Sequence, residues 1–184
     1  MPMSSAHLIY RAPAVEDLAR LFAIYSDPQT QLFNPSGPMT DKAQAAALLE
    51  GWIEHWQTHG YGWWAIARKE LPEHVIGFGG IGWHDFLGVQ RVNLGYRFAV
   101  EAWGQGFATE MGKAALDFGF SNVQLGDVYA YVRPTHAASI RVLEKIGMQR
   151  CGELNDVPGQ APSLMFKCSK LSPAPQREHA RTQR

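Results

Sequence analysis

The stretch from Leu94 to Glu110 constrains the chain most: an apolar run, a loop holding Gly104 and Gly106, and then an amphipathic pattern. Leu94 to Phe98 reads as a strand, and Phe107, Met111, Ala114, Ala115 and Phe118 fall on one face of a helix. The first turn of such a helix has backbone N–H groups without helical partners and the positive end of the aligned peptide dipoles. Glycines just ahead of it let an anion approach the main chain closely. The spacing therefore predicts a phosphate cradle between a strand and a helix. A chain built this way has strands and helices in layers.

The remaining segments fit that frame. Leu8 to Arg11 reads as a strand, and Val15 to Tyr25 as a helix with Leu18, Leu21, Phe22 and Tyr25 on its apolar stripe. Thr30 to Pro38 is turn-rich. Thr40 is the expected N-cap of a second helix that ends near His59-Gly60. Trp63 to Ala67 and Val75 to Trp83 form an expected hairpin across a Leu71–His74 turn, and the second strand is crowded with Gly77, Gly79, Gly80 and Gly82. Asp85 to Gln90 is the next turn and Arg91 to Phe98 the central strand. Then come a helix from Thr109 to Phe120, a strand from Val128 to Val132, a helix from His136 to Ile146, and strands near Met148–Glu153 and Ser163–Cys168. The order predicts a mixed α/β layer fold, with one domain over 1–171 and a disordered tail over 172–184 that has almost nothing to bury.

Composition removes several function classes. Lys plus Arg and Asp plus Glu are 17 each, so no basic surplus exists to neutralise nucleic-acid phosphates. No apolar run approaches the ~20 residues of a membrane helix, and Met1 to Arg11 lacks a signal-peptide pattern. A soluble cytoplasmic protein, monomer or homodimer, is expected. Cys151 and Cys168 form no metal-ligand or redox motif and are expected to be buried and reduced. No metal site is expected.

Three loop patterns compete for the cradle's ligand. The dinucleotide fingerprint fails at its third slot, where Thr109 stands, and its acidic partner, Asp127, opens a strand instead of closing one. The nucleotide P-loop fails at Gly112-Lys113-Ala114, which lacks both the upstream glycine and the hydroxyl. A third pattern, [Q/R]-x-x-G-x-[G/A], fits Trp103-Gly-Gln-Gly106-Phe-Ala108 except at its first position. Some thirty residues on stands Arg133-Pro-Thr-His-Ala-Ala-Ser-Ile-Arg-Val-Leu-Glu-Lys-Ile-Gly-Met148.

Together these two motifs make the chain, over roughly residues 8 to 170, similar to the GNAT superfamily of N-acetyltransferases. Within it the chain resembles the branch of the RimJ/RimL ribosomal-protein N-terminal acetyltransferases, which pairs Trp-Gly-x-Gly-[Tyr/Phe]-Ala-Thr-Glu with Asn-x-x-Ser-x-x-[Val/Leu]-x-Glu-Lys-x-Gly-[Phe/Met]. The resemblance implies a GNAT fold: a mixed, mostly antiparallel central sheet with helices on both faces and splayed central strands receiving acetyl-CoA. It implies pyrophosphate against Gly104, Gln105, Gly106, Phe107, Ala108 and Thr109, with Trp103, Arg97, Phe98, His136 and Ser139 as further cofactor contacts. Pantetheine amides would meet backbone near Tyr96 to Phe98, and the amine would attack the thioester directly. This agrees with the absence of a convincing Ser-His-Asp or Cys-His motif.

Two departures from the family pattern matter. Leu143 stands where many GNAT enzymes carry a tyrosine to protonate the departing thiolate, which makes Ser139 the candidate donor, with Tyr96 beside the reacting group. His136 replaces the family's Asn. Glu101, His84 and Asp85 are candidate bases at strand ends. Phe33, Asn34, Trp63, Trp64, Trp83 and His84 are candidates for the amine pocket. The acceptor is a protein N-terminus or a small-molecule amine. A non-catalytic acyl-CoA-binding module and a nucleotide-binding protein are the rival readings.

Overall fold

The computed structural model describes residues 3–170; the expected tail over 172–184 lies outside the described residues. In chain order the elements are β1 (Met3–Ser4), β2 (Leu8–Arg11), α1 (Leu18–Ser26), α2 (Lys42–His59), β3 (Trp63–Arg68), β4 (Leu71–Phe86), β5 (Val89–Phe98), α3 (Phe107–Ser121), β6 (Asp127–Val132), α4 (Ala137–Lys145), β7 (Gln149–Leu154) and β8 (Ser163–Ser169). The strands form one sheet in the order β1-β2-β3-β4-β5-β6-β8-β7. Every neighbouring pair is antiparallel except β5 and β6.

Alternation along the strands sends side chains into two layers. On one face Leu8, Tyr10, Trp64, Ile66, Ile81 and Val128 pack with Met111 and Ala115 of α3 and Leu143 of α4. On the other, Ala65, Val75 and Phe78 pack with Leu21 and Ile24 of α1 and Ala45 and Leu49 of α2. Helices therefore cover both faces, as the resemblance implied. No helix of the described residues is long and apolar enough to cross a membrane.

Four local expectations need correction. The α2 cap is Asp41, not Thr40: its carboxylate accepts from the Ala43 amide at 3.0 Å while Gln44 reaches back to the amides of Thr40 and Asp41. The Leu71–His74 segment is strand, because Arg68 pairs directly with Leu71 and a register shift beside Ala67 absorbs Pro72, which has no N–H for a regular ladder. The short strand β1 shows no periodicity and was not expected; pairing with Ile9 and Tyr10 defines it. Both cysteines are free, but Cys151 is exposed on the edge strand β7 and only Cys168 is partly buried.

The glycine-rich strand has a steric cause. A Cβ on Gly79 would lie 2.7 Å from Cβ of Tyr96 on the paired strand, and one on Gly77 would lie 2.6 Å from the Phe98 ring. The missing side chains on β4 make room for the large ones of β5.

The sheet opens between β5 and β6. β4 and β5 pair without a break from Gly77–Phe98 to Phe86–Val89, whereas β5 and β6 share the single pair Asn93–Tyr129. Beyond Asn93 the two strands part. The Ala99 amide donates to Ile76 O at 2.8 Å, so alternate residues Arg97 and Gly95 also bond towards β4. Tyr96 and Phe98 then direct their N–H and C=O groups away from β4, into the gap.

Candidate active site

The loop after β5 is tied down by its own side chains. The Trp103 indole N–H donates to Phe98 O at 3.0 Å, and the Gln105 carboxamide donates to Glu101 O at 2.9 Å. Gly104 and Gly106 have φ of 73° and 79°, left-handed conformations that disfavour a side chain. A Cβ at either would meet nothing within 4 Å, so the space above both is open. Gly106 caps α3, and its carbonyl accepts from Glu110 N at 3.0 Å. Among the described residues, no acceptor engages the amides of Gly104 to Thr109. Phe107 is buried and anchors the helix start in the core. The result is a run of exposed backbone donors at the positive end of a 15-residue helix.

Glu110 explains another part of the motif. Its carboxylate accepts from the Ser5 hydroxyl at 2.5 Å, the His7 amide at 2.7 Å and the Leu8 amide at 3.2 Å, and it meets His7 Nδ1 at 2.9 Å. Burial pushes this carboxyl upward, but the Ser5 and His7 hydrogen bonds outweigh it and hold the group below the usual carboxylate range. Glu110 straps the β1–β2 turn to the first turn of α3. Its role depends on partners more than 100 residues away, which nothing in the local sequence discloses.

At the gap, β5 and α4 bring two hydroxyls together. Tyr96 Oη and Ser139 Oγ lie 3.0 Å apart. Burial pushes the Tyr96 phenol up to about 12, with the Ser139 hydrogen bond pulling the other way, so it stays protonated at any working pH. Leu143, one turn further along α4, is buried in the core. A phenol is therefore present at Ser139, but it comes from the strand and not from the helix.

On the opposite face of β5 lies a second group. Phe33, from the segment between α1 and α2, stacks on His136 with ring centroids 3.9 Å apart and planes at 13°. His136 is the N-cap residue of α4, yet its side chain makes no capping bond. Burial first and the Arg97 charge second hold its imidazole below the usual histidine range, so it is neutral near pH 7. Arg97 donates to Thr30 O and lies over the Tyr25 ring at 5.1 Å. Asn34 bonds inward, donating to Gln31 Oε1 at 2.8 Å and Gly37 O at 3.1 Å, and shapes the segment instead of facing outward.

The other expected site residues scatter. The backbone of Arg97 pairs with Phe78 and its side chain faces α1, so only Tyr96 and Phe98 present backbone to the gap. Trp64 is 2% exposed and packed against Tyr10 and Phe118; it is core, not pocket wall. Trp63 stacks on Trp52 at 4.9 Å beneath α2. Glu101 is bound by Arg20 and lies 3.3 Å from His74, at the far end of the β3–β4 hairpin, apart from Tyr96, Ser139 and His136. Asp85 accepts from the Gly88 amide and Gln90 in the β4–β5 turn. His84 packs against Phe86 at the end of β4, and exposed Trp83 gives its amide to His55. No His, Cys, Asp and Glu cluster suited to a metal ion occurs among the described residues.

Sequence reasoning missed Asn93, the residue at which β5 and β6 part. Its Oδ1 is buried without a hydrogen-bond partner among the described residues, as is Nε of Arg97.

The chain is 35% identical over 133 residues to the uncharacterized protein YkkB of Bacillus subtilis, covering 72% of this chain and 76% of the relative. It is 31% identical over 150 residues to the uncharacterized N-acetyltransferase p20 of Bacillus licheniformis, covering 81% and 83%. The structure of Mycobacterium smegmatis RimJ in complex with CoA-disulfide aligns over 91% of this chain and 88% of its own, with a TM-score of 0.71 and 23% identity. The acetyltransferase (GNAT) domain matches residues 7–149, which include the cradle, the gap and α4, and the chain belongs to that family.

Proposed function

We propose that this protein transfers the acetyl group of acetyl-CoA to a primary amine by direct attack, in the manner of the RimJ/RimL-like branch. The observation that supports this most is the meeting of two features: the unpaired amides of Gly104 to Thr109, and a gap in the sheet into which Tyr96 and Phe98 turn their backbone. The cradle fits a pyrophosphate, because a side chain at Gly106 would fill the space a phosphate needs. Tyr96 N–H and C=O and Phe98 N–H fit the amides of a pantetheine arm laid along β5; Phe98 C=O is already bonded to Trp103. The structural neighbour RimJ of Mycobacterium smegmatis is in complex with CoA-disulfide, which supports a CoA thioester as the donor.

Bound there, acetyl-CoA supplies an activated acyl carbon. The acceptor nitrogen forms the new C–N bond, the C–S bond breaks, the nitrogen gives up a proton and the sulfur takes one. A backbone N–H in the gap polarises the thioester oxygen. The Tyr96–Ser139 pair is placed to hydrogen-bond the departing sulfur, the phenol remaining protonated to donate. An α-amine with a pKa of about 7.7–8.0 needs little help to lose its proton near neutrality, so no strong base is required.

Titration calorimetry with acetyl-CoA, followed by thiol release on a panel of amines, tests the reading. Donor binding and thiol release with an amine are expected. Binding without turnover on any amine would convert the protein to an acyl-CoA-binding module, and no binding would overturn the cradle.

A further inference from the structure

In the proposed transfer the acceptor nitrogen must lose a proton, and the Tyr96–Ser139 pair serves the sulfur instead. The acidic side chains offer no free base there. Glu101 is held by Arg20, Asp156 by Ser163 at 2.8 Å and Arg133 at 3.4 Å, and Asp127 by Lys167 at 3.0 Å and Ser169 at 2.7 Å.

His136 is different. β5 and β6 run parallel from the Asn93–Tyr129 pair, and His136 follows β6 at the end where the strands have parted. Its side chain makes no capping bond. Among the described residues neither ring nitrogen is hydrogen-bonded, and neither is sealed from solvent. The ring is nonetheless fixed, because Phe33 covers its flat face at 3.9 Å between centroids. A ring held by its face presents its nitrogens at the edge.

The position matches the chemistry. Ser139 stands one turn along α4, where Cβ atoms are about 5–6 Å apart, and its Oγ lies 3.0 Å from Tyr96 Oη. The hydroxyl pair lies on one side of β5, and the imidazole lies on the side of Phe33 and Arg97. Direct attack needs such an arrangement, with a proton acceptor towards the amine and a donor towards the sulfur. Nothing beside the ring holds it protonated. β5 brings Arg97, the first turn of α4 carries no acid, Asp27 accepts from the Gln29 amide, and Arg133 is turned to Asp156, Ser163 and Ala161. Burial first and Arg97 second keep the imidazole neutral near pH 7, with a lone pair to take a proton.

We infer that His136 takes the proton from the acceptor nitrogen as the C–N bond forms, while the Tyr96–Ser139 pair gives one to the sulfur as the C–S bond breaks. The imidazolium then releases its proton to water, and the hydroxyl pair is reprotonated from water. This rests on the acetyltransferase reading above and adds its base. An asparagine, which the family pattern has here, has no proton affinity to offer.

The test uses the full chain with acetyl-CoA, thiol release, and three acceptors: an amino-acid amide, a short peptide with a free N-terminus, and spermidine. With the fastest of these, His136→Ala should lower kcat by about 100-fold, the low end of what a positioned base contributes. KM for acetyl-CoA should stay within about two-fold. His136→Asn should be as slow. Wild-type kcat should fall as the pH drops through a value below about 6.5, since only the neutral ring accepts a proton, and both variants should lack that limb. Added imidazole should speed His136→Ala in proportion to its neutral fraction.

The two readings fail differently. If acetyl-CoA does not bind, or no amine releases thiol, the transferase reading falls and the base with it. If the wild type turns over and His136→Ala, folded by circular dichroism, keeps kcat within about two-fold, only the role of His136 falls. The same holds if kcat is lost with the acid limb unchanged, or without a response to imidazole. A rise in KM for acetyl-CoA with kcat spared also overturns it and makes His136 a donor contact.

Discussion

The two sides of the gap are built by different means. The proposed donor side is nearly continuous in sequence: Tyr96 to Thr109 contains the strand end, the loop and the helix start, and its groups are mostly backbone amides. The proposed acceptor side draws Phe33, Arg97 and His136 from three separate parts of the chain, and its groups are side chains. A backbone site needs only the correct local conformation. A side-chain site needs the whole sheet and both helical layers in place.

Mutations should separate the two sides, and the largest effect is expected at the cradle. Gly106→Val puts a β-branched residue at φ of 79° and a methyl pair in the phosphate space. Loss of acetyl-CoA affinity by about 100-fold or more is expected, from the lost charge-assisted backbone bonds, with the far-ultraviolet spectrum retained. Affinity in calorimetry close to wild type would show that the phosphate lies elsewhere.

Next come the paired hydroxyls. Ser139→Ala and Tyr96→Phe should each lower kcat by roughly ten-fold while leaving KM for acetyl-CoA little changed, because a contact made to the developing thiolate adds nothing to ground-state binding. The double variant should be no slower than the worse single one, as expected of two groups acting together. A rise in KM with kcat spared would instead make Ser139 a cofactor contact.

On the acceptor side, Phe33→Ala removes the ring stacked on His136. Acceptor kcat/KM should fall by about three- to ten-fold, a stacking-scale loss, and donor affinity should stay within about two-fold. Equal losses for donor and acceptor would mean that the Phe33–His136 pair belongs to both sides.

The smallest effects are in acid. His55 accepts the Trp83 amide at Nε2 and donates from Nδ1 to Tyr61 O, an arrangement that needs a neutral ring. Burial holds His55 and His136 below their usual range, so the unfolded chain takes up these protons first. Stability present above about pH 6.5 should begin to fall as the pH drops below it. Glu110 is also held low, so its contribution is present above about pH 4.3 and disappears as the pH falls through its folded value. Melting curves across pH 3 to 8 should show both steps, and Glu110→Gln should flatten the lower one. A melting temperature flat between pH 5 and 7 would show that neither histidine matters to folding.

The chain's own pattern made most of the layered fold legible. Apolar periodicity located the four helices and all strands except β1, since period 2 and period 3.6 differ over as few as six residues. It placed boundaries less well. Thr40 and Asp41 are both capping residues by type, and only the hydrogen bonds of Gln44 and Ala43 distinguish them. The crowded glycines of β4 were visible in sequence, but their reason, the Tyr96 and Phe98 side chains, belongs to the neighbouring strand.

What the sequence by itself determined is the cradle: two glycines between an apolar strand and an amphipathic helix dictate left-handed turns and unpaired amides whatever surrounds them. Only the tertiary structure decided which side chains share the gap. It moved Trp64 into the core, turned Arg97 to the opposite face, tied Glu101 to Arg20, and set Tyr96 against Ser139 across 43 positions of chain. Local conformation follows from steric limits on a few neighbouring residues. Contacts between distant side chains follow from strand register, and register is set by the summed packing of two hydrophobic layers.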